Sequence, residues 1–191
     1  MRDLIDVAAK LQAFCEQRKW RFCFIGGLAV QHLAEARLTK DTDLTLVTGF
    51  GGEELFIDEL LKAYRPRRPD ARQFALVNRV LLLFAENGSG IDIALGALPF
   101  EEEAVNRATY VEYADGMALR ICSAEDLIIM KAFAGRDQDW NDVRMTIVRQ
   151  GVDAIDWGHI EKYLTELATL KEEPEILDRL WALRKKYSTA G

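Results

Sequence analysis

The sequence predicts an α+β fold in which a small mixed β-sheet, flanked by helices, is followed by a C-terminal helical region. Two observations support this. Up to about residue 122, short β-branched and aromatic segments alternate with segments of helical periodicity. From residue 123 onward the apolar residues recur only at helical spacing. We therefore expect a core over residues 1–122 and a helical region, packed on that core, over residues 123–191.

The order of the predicted elements follows from apolar spacing and from turn signals. Residues 65–70 are predicted to form a loop, because two prolines within four residues disfavour a helix. Glycine-rich turns at residues 87–90 and 115–116 indicate two hairpins. The predicted helices cover residues 2–19, 28–36, 53–64, 127–133, 140–149, 160–170 and 176–187. The predicted strands cover residues 20–25, 42–47, 80–84, 91–95, 110–113 and 118–122.

Composition excludes several classes of protein. Hydrophobic residues make up 49% and charged residues 29% of the 191 residues, which is typical of a globular chain rather than a disordered one. The net charge of −6 argues against binding long nucleic acid through bulk charge, although a short RNA on a local basic patch stays open. The most apolar run is too short to span a bilayer, so no membrane partner is expected.

The cysteines indicate the compartment. The chain has three cysteines, Cys15, Cys23 and Cys122, and no two of them form a CxxC motif. This argues against a zinc site. We expect free buried thiols and a cytoplasmic location, because the cytoplasm keeps thiols reduced.

Three aspartates on two predicted strands are the candidate chemical centre. Residues i and i+2 of a strand point to the same face, so Asp41 and Asp43 share one face with Thr45. Asp92 stands between two isoleucines in a later strand. If these strands are neighbours, the three carboxylates converge. The competing interpretation, that Asp41 and Asp43 only begin a strand, does not explain Asp92.

Converging carboxylates repel one another, and a divalent cation relieves that repulsion. Oxygen ligands without histidine or cysteine favour Mg²⁺ or Mn²⁺. Mg²⁺ typically combines one or two protein carboxylates with substrate phosphates, which suits nucleotide chemistry. The sequence therefore predicts a metal site at Asp41, Asp43 and Asp92.

Gly26 and Gly27 lie between a predicted strand and a predicted helix. Glycine lets the backbone approach a ligand closely, and a helix N-terminus attracts anions. A glycine pair alone is commonly a simple turn. Its value here lies in the order of strand, glycine pair, helix and DxD.

This order, with a later single aspartate in a strand, resembles the nucleotidyltransferase superfamily of DNA polymerase β type. The local sequence is similar to the small bacterial nucleotidyltransferases of the AbiEii toxin type, which are associated with type IV toxin–antitoxin and abortive-infection systems. The resemblance covers residues 20–150. It is carried by IGGLAV (25–30), RLTKDTDLTL (37–46), IDIALGALPFEEE (91–103) and SAEDLIIMKAFAGRDQDWNDV (123–143).

The resemblance implies a nucleotidyltransferase fold and roles for the three aspartates. Asp41 and Asp43 would bind the metal ions. Asp92 would complete the metal site and help to deprotonate the acceptor hydroxyl. These three residues are thus the implied catalytic and metal-binding residues.

The resemblance also implies phosphate ligands. The backbone of Gly26 and Gly27 would cradle the triphosphate, and Lys131 would neutralise phosphate charge. Many superfamily members have serine after the first glycine, so here the backbone N–H groups must replace a hydroxyl. Arg37 and Thr39, just before the first aspartate, are further candidates for contact with the phosphate or the base. The alternative for them is a solvated loop.

Other charged residues leave alternatives open. One dense basic run is either a solvated loop or a grip on RNA or a phosphorylated acceptor; its members are Arg65, Arg67, Arg68 and Arg72. Arg136, Asp139 and Asp142 match the AbiEii-type pattern, and we expect them to form structural ion pairs or caps.

The expected function is the Mg²⁺-dependent (or Mn²⁺-dependent) transfer of a nucleoside monophosphate from an NTP to an acceptor hydroxyl, with release of pyrophosphate. The acceptor is a tRNA, a protein or a small hydroxyl compound, and only the resemblance to toxins that act on tRNA favours RNA. The resemblance also implies an antitoxin partner. The alternative is a catalytically inactive protein of the same fold that acts as an antitoxin or pseudoenzyme.

Overall fold

The computed structural model describes residues 2–35, 38–113 and 116–188. The chain divides into two compact units, Met1–Leu28 with Leu38–Cys122 and Ala29–Arg37 with Ser123–Gly191. The described strands all belong to the first unit, and the second is helical. Among the described residues, 29–35 group with the C-terminal region, which the sequence pattern did not indicate.

Within the described residues, seven strands form one mixed sheet in the order β3-β4-β5-β2-β1-β7-β6. They are β1 (Phe22–Phe24), β2 (Asp41–Val47), β3 (Arg65–Pro66), β4 (Val80–Phe84), β5 (Gly90–Gly96), β6 (Thr109–Glu112) and β7 (Ala118–Ile121). The first unit also contains α1 (Arg2–Gln17), α3 (Glu53–Ala63), α4 (Ala71–Asn78) and α5 (Pro99–Arg107), while α2 (Gly26–Leu33) crosses the boundary between the units. The prediction of a mixed sheet flanked by helices is confirmed.

The centre of the sheet separates the core from a polar face. Strand β2 is antiparallel to β1 and parallel to β5. On β2, Leu44 and Leu46 are fully buried, whereas Asp41 and Asp43 are partly exposed. Strand β5 repeats this alternation, because its isoleucines are buried and Asp92 between them is partly exposed. The apolar residues thus anchor both strands and leave the aspartates accessible.

Two helices and one strand of the first unit were not predicted. The long apolar stretch after residue 73 hid the change from α4 to β4, which takes place at Arg79 in the left-handed region (φ +55°). Helix α5 begins at Pro99, and the Glu101 carboxylate accepts hydrogen bonds from the N–H groups of Ala97 and Leu98. The predicted loop 65–70 contains the two-residue edge strand β3.

The second hairpin and the thiols agree with expectation. Strands β6 and β7 pair antiparallel, although Asp115 of their predicted turn lies outside the described residues. The three cysteines, all within the described ranges, are buried thiols without a disulfide.

The second unit contains four further α-helices among its described residues: α6 (Ala124–Ala134), α7 (Asp137–Gln150), α8 (Trp157–Lys171) and α9 (Glu175–Ser188). Ser123 caps α6 by accepting a hydrogen bond from the Asp126 N–H. No helix in the described part of the chain combines the length and the hydrophobicity needed to cross a bilayer.

Candidate active site

Asp43 and Asp92 occupy directly paired positions on β2 and β5. These strands are parallel neighbours, so the condition under which the carboxylates converge is met. Asp41, two residues before Asp43, pairs with Gly90 at the start of β5. The register therefore collects three carboxylate-bearing residues on one partly exposed face of the sheet.

Glycines make room for these carboxylates. A Cβ on Gly26 would lie 2.7 Å from the Cβ of Asp43, and a Cβ on Gly90 would lie 3.0 Å from the Cγ of Asp41. Both distances are shorter than ordinary van der Waals contacts. Gly26 also has φ +55°, a conformation that strains a side-chain-bearing residue. The sequence placed Gly90 only in the predicted turn 87–90, and its position two residues before Asp92, on the same face of β5, is the signal that could have identified its role.

The glycine pair contacts the site through its backbone. The N–H of Gly27 donates a hydrogen bond to Oδ2 of Asp43 across 3.2 Å. Helix α2 begins at Gly26 rather than after Gly27, so Asp43 acts as an N-cap supplied by a neighbouring strand. The helix end that we expected to meet phosphate therefore also stabilises the carboxylate of Asp43.

Arg67 forms an ion pair with Asp92. Its side chain is 22% exposed and that of Asp92 is 34% exposed. The backbone N–H of Arg67 donates to the Leu82 carbonyl at 3.0 Å, which holds Arg67 beside β4. The sequence placed this residue only in a basic run, and no local signal marks it as a partner of Asp92, because the pairing depends on the register of β3, β4 and β5.

The remaining arginines of the basic run are exposed and make contacts at the protein surface. Arg68 forms a bidentate pair with Asp70, at 2.9 and 3.0 Å. Arg72 contacts Asp58 at 2.8 Å and Glu54 at 3.1 Å. The guanidinium carbon of Arg65 lies 4.4 Å from the centre of the Phe84 ring. Three of the four arginines are thus solvent-exposed, and only Arg67 is partly buried.

A cavity of about 460 Å³ opens beside Asp41. Thr39, Arg67 and Ser89 are among the residues that line it. The Thr39 hydroxyl donates to the backbone carbonyl of Asp41 at 3.3 Å, which places Thr39 at the candidate site. Arg37 lies outside the described residues.

The donor set suits a hard divalent cation, because it offers carboxylate oxygens alone. As arranged here, however, no group of three or more His, Cys, Asp or Glu side chains among the described residues is placed to hold a metal ion. The guanidinium of Arg67 lies against Asp92 instead. The metal roles of Asp41, Asp43 and Asp92 stay a prediction, and full coordination would require Arg67 to move.

Lys131 lies on α6, in the second unit, within a buried ion-pair network. Its Nζ is 3.0 Å from Oδ1 of Asp139 and 2.9 Å from Oδ2 of Asp142. The lysine side chain is 10% exposed, and both aspartate side chains are 2% exposed. Arg136 also donates to Asp139, so the expected structural ion pairs are present. The phosphate role of Lys131 stays a prediction.

The environment of Asp139 favours its charged form. Burial raises the pKa of a carboxyl, but hydrogen bonds from Arg136 and Lys131 outweigh burial and hold the pKa of Asp139 below its usual value. The network thus keeps the Asp139 carboxylate charged inside the helical unit.

Comparison with known proteins decides the family. The family model described as nucleotidyltransferase of unknown function (DUF6036) matches residues 2–189. The chain belongs to this family. The resemblance to the AbiEii branch stays a prediction. No curated protein matches the sequence significantly.

Solved nucleotidyltransferase structures share the fold of this DUF6036 member. The antibiotic-resistance factor ANT(2'')-Ia has a TM-score of 0.55 and 16% identity over 88% of this chain and 95% of its own. An antigenic nucleotidyltransferase-like protein from Paracoccidioides brasiliensis has a TM-score of 0.54 and 15% identity over 95% and 94%. The lincomycin-bound lincosamide antibiotic adenylyltransferase LnuA has a TM-score of 0.50 and 15% identity over 72% and 92%.

Proposed function

We propose that this protein is a Mg²⁺-dependent (or Mn²⁺-dependent) nucleotidyltransferase that moves a nucleoside monophosphate from an NTP to an acceptor hydroxyl. The observation that carries this proposal is the pairing of Asp43 with Asp92 on parallel neighbouring strands, with Asp41 on the same face. Membership of the DUF6036 nucleotidyltransferase family supports it.

In the proposed reaction, the acceptor oxygen attacks the α-phosphorus, and the bond from that phosphorus to the β-phosphate bridging oxygen breaks. Pyrophosphate leaves with the bond electrons, and Asp92 accepts the hydroxyl proton. The divalent cation, when bound, would neutralise the charge of the triphosphate. Asp41 and Asp43 would hold it, and Asp92 would complete the metal site. The protein contributes mainly by positioning the reactants and neutralising charge.

The triphosphate would lie at the start of α2, where first-turn N–H groups lack acceptors within the helix. Thr39 borders the same site through its hydrogen bond to Asp41. We retain Lys131 as a candidate phosphate ligand. To fill that role it would have to exchange an existing partner, because Asp139 and Asp142 already hold its ammonium group.

We propose a small hydroxyl compound as the acceptor, in preference to RNA. Three of the four arginines in the basic run already lie against carboxylates, which weakens the one local patch that favoured RNA. A cavity of about 460 Å³ is within the usual range for small-molecule sites. ANT(2'')-Ia, a structural neighbour, has been solved with adenylyl-2''-tobramycin, and LnuA with lincomycin.

A toxin-like enzyme with a tRNA acceptor and an antitoxin partner is the second candidate. The AbiEii-like segment 123–143 favours it. In this structure, however, that pattern supplies a helix cap and a buried ion-pair network, through Ser123, Asp126, Lys131, Asp139 and Asp142. The segment therefore has a structural explanation that is independent of the acceptor. Buried thiols agree with the cytoplasmic location that we propose for either candidate.

Labelling with each of the four α-³²P NTPs and Mg²⁺ or Mn²⁺ tests this function, with aminoglycosides and lincosamides, bulk tRNA and test proteins as separate acceptors. Label in a small hydroxyl compound supports the first candidate, and label in tRNA supports the second. Asp92→Asn should abolish transfer, whereas Asp70→Asn, which alters an exposed carboxylate paired with Arg68, should not. If no NTP binds or releases pyrophosphate, the non-catalytic alternative replaces both.

A further inference from the structure

We propose that Arg67 is an internal counter-cation for Asp92 that a divalent metal ion must displace, so that Arg67 lowers the affinity of the nucleotide-free site for metal. The inference rests on the proposed function, because it assumes that Asp92 is a metal ligand. It assigns a regulatory role to a residue outside the three aspartates and the glycine pair.

The position of the guanidinium supports this role. Nη2 of Arg67 contacts Oδ1 of Asp92. Nη1 lies 3.1 Å from the position that a Cβ on Gly90 would take, and the Cγ of Asp41 lies 3.0 Å from that same position. Since Gly90 pairs with Asp41 and lies two residues before Asp92, one guanidinium borders two of the three carboxylate residues. A metal ion shared by Asp41 and Asp92 would have to approach the space beside Gly90 that this guanidinium already borders.

Competition follows from the chemistry of the ligand. A metal ion that coordinates Oδ1 of Asp92 competes with the guanidinium for that oxygen, because Mg²⁺ demands close, octahedral oxygen ligands and the guanidinium holds the same oxygen by a charge-assisted hydrogen bond. Two cations on the same small carboxylate group also repel each other. Metal binding at Asp92 therefore carries the cost of breaking the pair with Arg67.

Displacing the Arg67 side chain would leave the backbone pairing of the sheet intact. Its backbone is held through the bond from its N–H to the Leu82 carbonyl, and β3 is an edge strand. Its Nε is buried and makes no hydrogen bond within the described part of the chain, so the guanidinium does not use all of its donors in this position. The side chain lines the cavity beside Asp41. Displacement from Asp92 would leave the guanidinium beside this cavity, where phosphate oxygens are suitable acceptors.

Arg68 provides a matched control in the same segment. It is also an arginine paired with an aspartate, but its partner Asp70 is exposed and is not one of the candidate ligands. Removing Arg68 changes the net charge by the same amount as removing Arg67. Any difference between the two variants therefore reports the local pairing with Asp92.

The test is Mn²⁺ binding without nucleotide, measured by isothermal titration calorimetry and by the electron paramagnetic resonance signal of free Mn²⁺. We expect Arg67→Gln to bind Mn²⁺ about tenfold more tightly than wild type, and Arg68→Gln to bind as wild type does. Adding Asp43→Asn to Arg67→Gln should remove the gain, which would assign it to this site. If Arg67→Gln does not fold, Arg67→Lys should show a smaller gain, because lysine is shorter and lacks the second guanidinium arm.

Equal or weaker Mn²⁺ binding by the Arg67 variants overturns the inference, and so does a gain that persists after Asp43→Asn. The proposed function fails separately. It fails if Mg²⁺ with NTP neither stabilises the wild type nor gives any transfer, whatever Arg67 does. It survives an Arg67 failure if nucleotide and metal together still bind at the aspartates.

Discussion

Asp43 accepts a hydrogen bond from the backbone N–H of Gly27, 3.2 Å away, although sixteen positions separate the two residues. One carboxylate thus caps helix α2 and also faces Asp92 on the neighbouring strand. A metal ion that binds at Asp43 would act directly on the start of this helix. The aspartate strand and the glycine turn are therefore one local unit rather than two independent motifs.

Replacing Asp43 with asparagine should separate its charge from its capping role. The amide oxygen of asparagine can still accept the hydrogen bond from Gly27, so the apo protein should melt within about 2 °C of wild type. Mg²⁺ with NTP at ten times its dissociation constant stabilises a folded protein by about 1.4 kcal/mol, or roughly 3–6 °C in a chain of this size. We expect Asp43→Asn to lose most of this shift in thermal denaturation, and Asp58→Asn to keep it. A full shift in Asp43→Asn would exclude Asp43 from the ligand site.

Replacing Gly26 with alanine should lower the free energy of unfolding by more than the strain of a positive φ alone, because the new side chain would collide with Asp43. Gly51 also has a positive φ, +80°, but a Cβ there meets nothing within 4 Å, whereas a Cβ on Gly26 collides with Asp43. Gly51→Ala should therefore cost about 1–2 kcal/mol of unfolding free energy from strain alone. Gly26→Ala should cost more and should also weaken binding of a non-hydrolysable NTP. The comparison uses urea denaturation and NTP titration, and equal behaviour of the two variants would contradict the close contact.

Replacing Lys131 with methionine tests its structural role against its predicted phosphate role. Removing one partner of a buried ion pair typically costs about 3–5 kcal/mol, which for this chain corresponds to a fall on the order of 10 °C in melting temperature. Lys62→Met is the control, because its pair with Glu59 is exposed. If Lys131 acts only in the network, NTP affinity measured below the transition should stay unchanged. A loss of NTP affinity in a folded Lys131→Met protein would instead support the phosphate role.

The Asp139 network should make stability depend on acid pH. The pKa of Asp139 is lowered in the folded protein, while the unfolded value is about 3.9. The sign follows from linkage: the network contributes fully at pH values above the unfolded pKa, and its contribution is lost as pH falls toward the lower folded pKa. The stability difference between wild type and Asp139→Asn should therefore be constant above about pH 5 and should shrink below about pH 4. Denaturant unfolding of both proteins across this pH range measures the stability difference. A difference that stays constant at all pH values would contradict the lowered pKa of Asp139.

The ion pairs of Arg68 and Arg72 predict how replacing these residues affects transfer to each class of acceptor. Arg68 and Arg72 already contact carboxylates, so replacing both with alanine should leave transfer to a small hydroxyl compound unchanged within about twofold. If the acceptor is RNA and these arginines contact it, the log–log slope of binding against salt should flatten by about one to two units in the double variant. Filter binding with labelled tRNA at several salt concentrations distinguishes the two. Arg67 is kept intact in this experiment because it contacts Asp92.

Most of the architecture was predictable from local patterns. Apolar residues and aspartates alternate along β2 and β5 because side chains of a strand point to opposite faces in turn. This alternation identified the face that buries leucine and isoleucine and the face that leaves aspartate partly exposed. The cap at Ser123 and the four C-terminal helices likewise follow from short-range spacing. Helices α4 and α5 were missed because an apolar stretch and a proline–glutamate segment carry no clear period.

The sequence by itself determined which chemical groups are available: three aspartates, a glycine pair before a helix and a lysine with two aspartates in a helical segment. Only the tertiary structure decided how they combine. Strand register pairs Asp43 with Asp92, and the position of β2 beside α2 brings Asp43 to the first turn of that helix. Arg67, which directly follows edge strand β3, reaches Asp92. Such contacts join residues 16 to 49 positions apart, and their energies depend on register and burial rather than on neighbours in the chain.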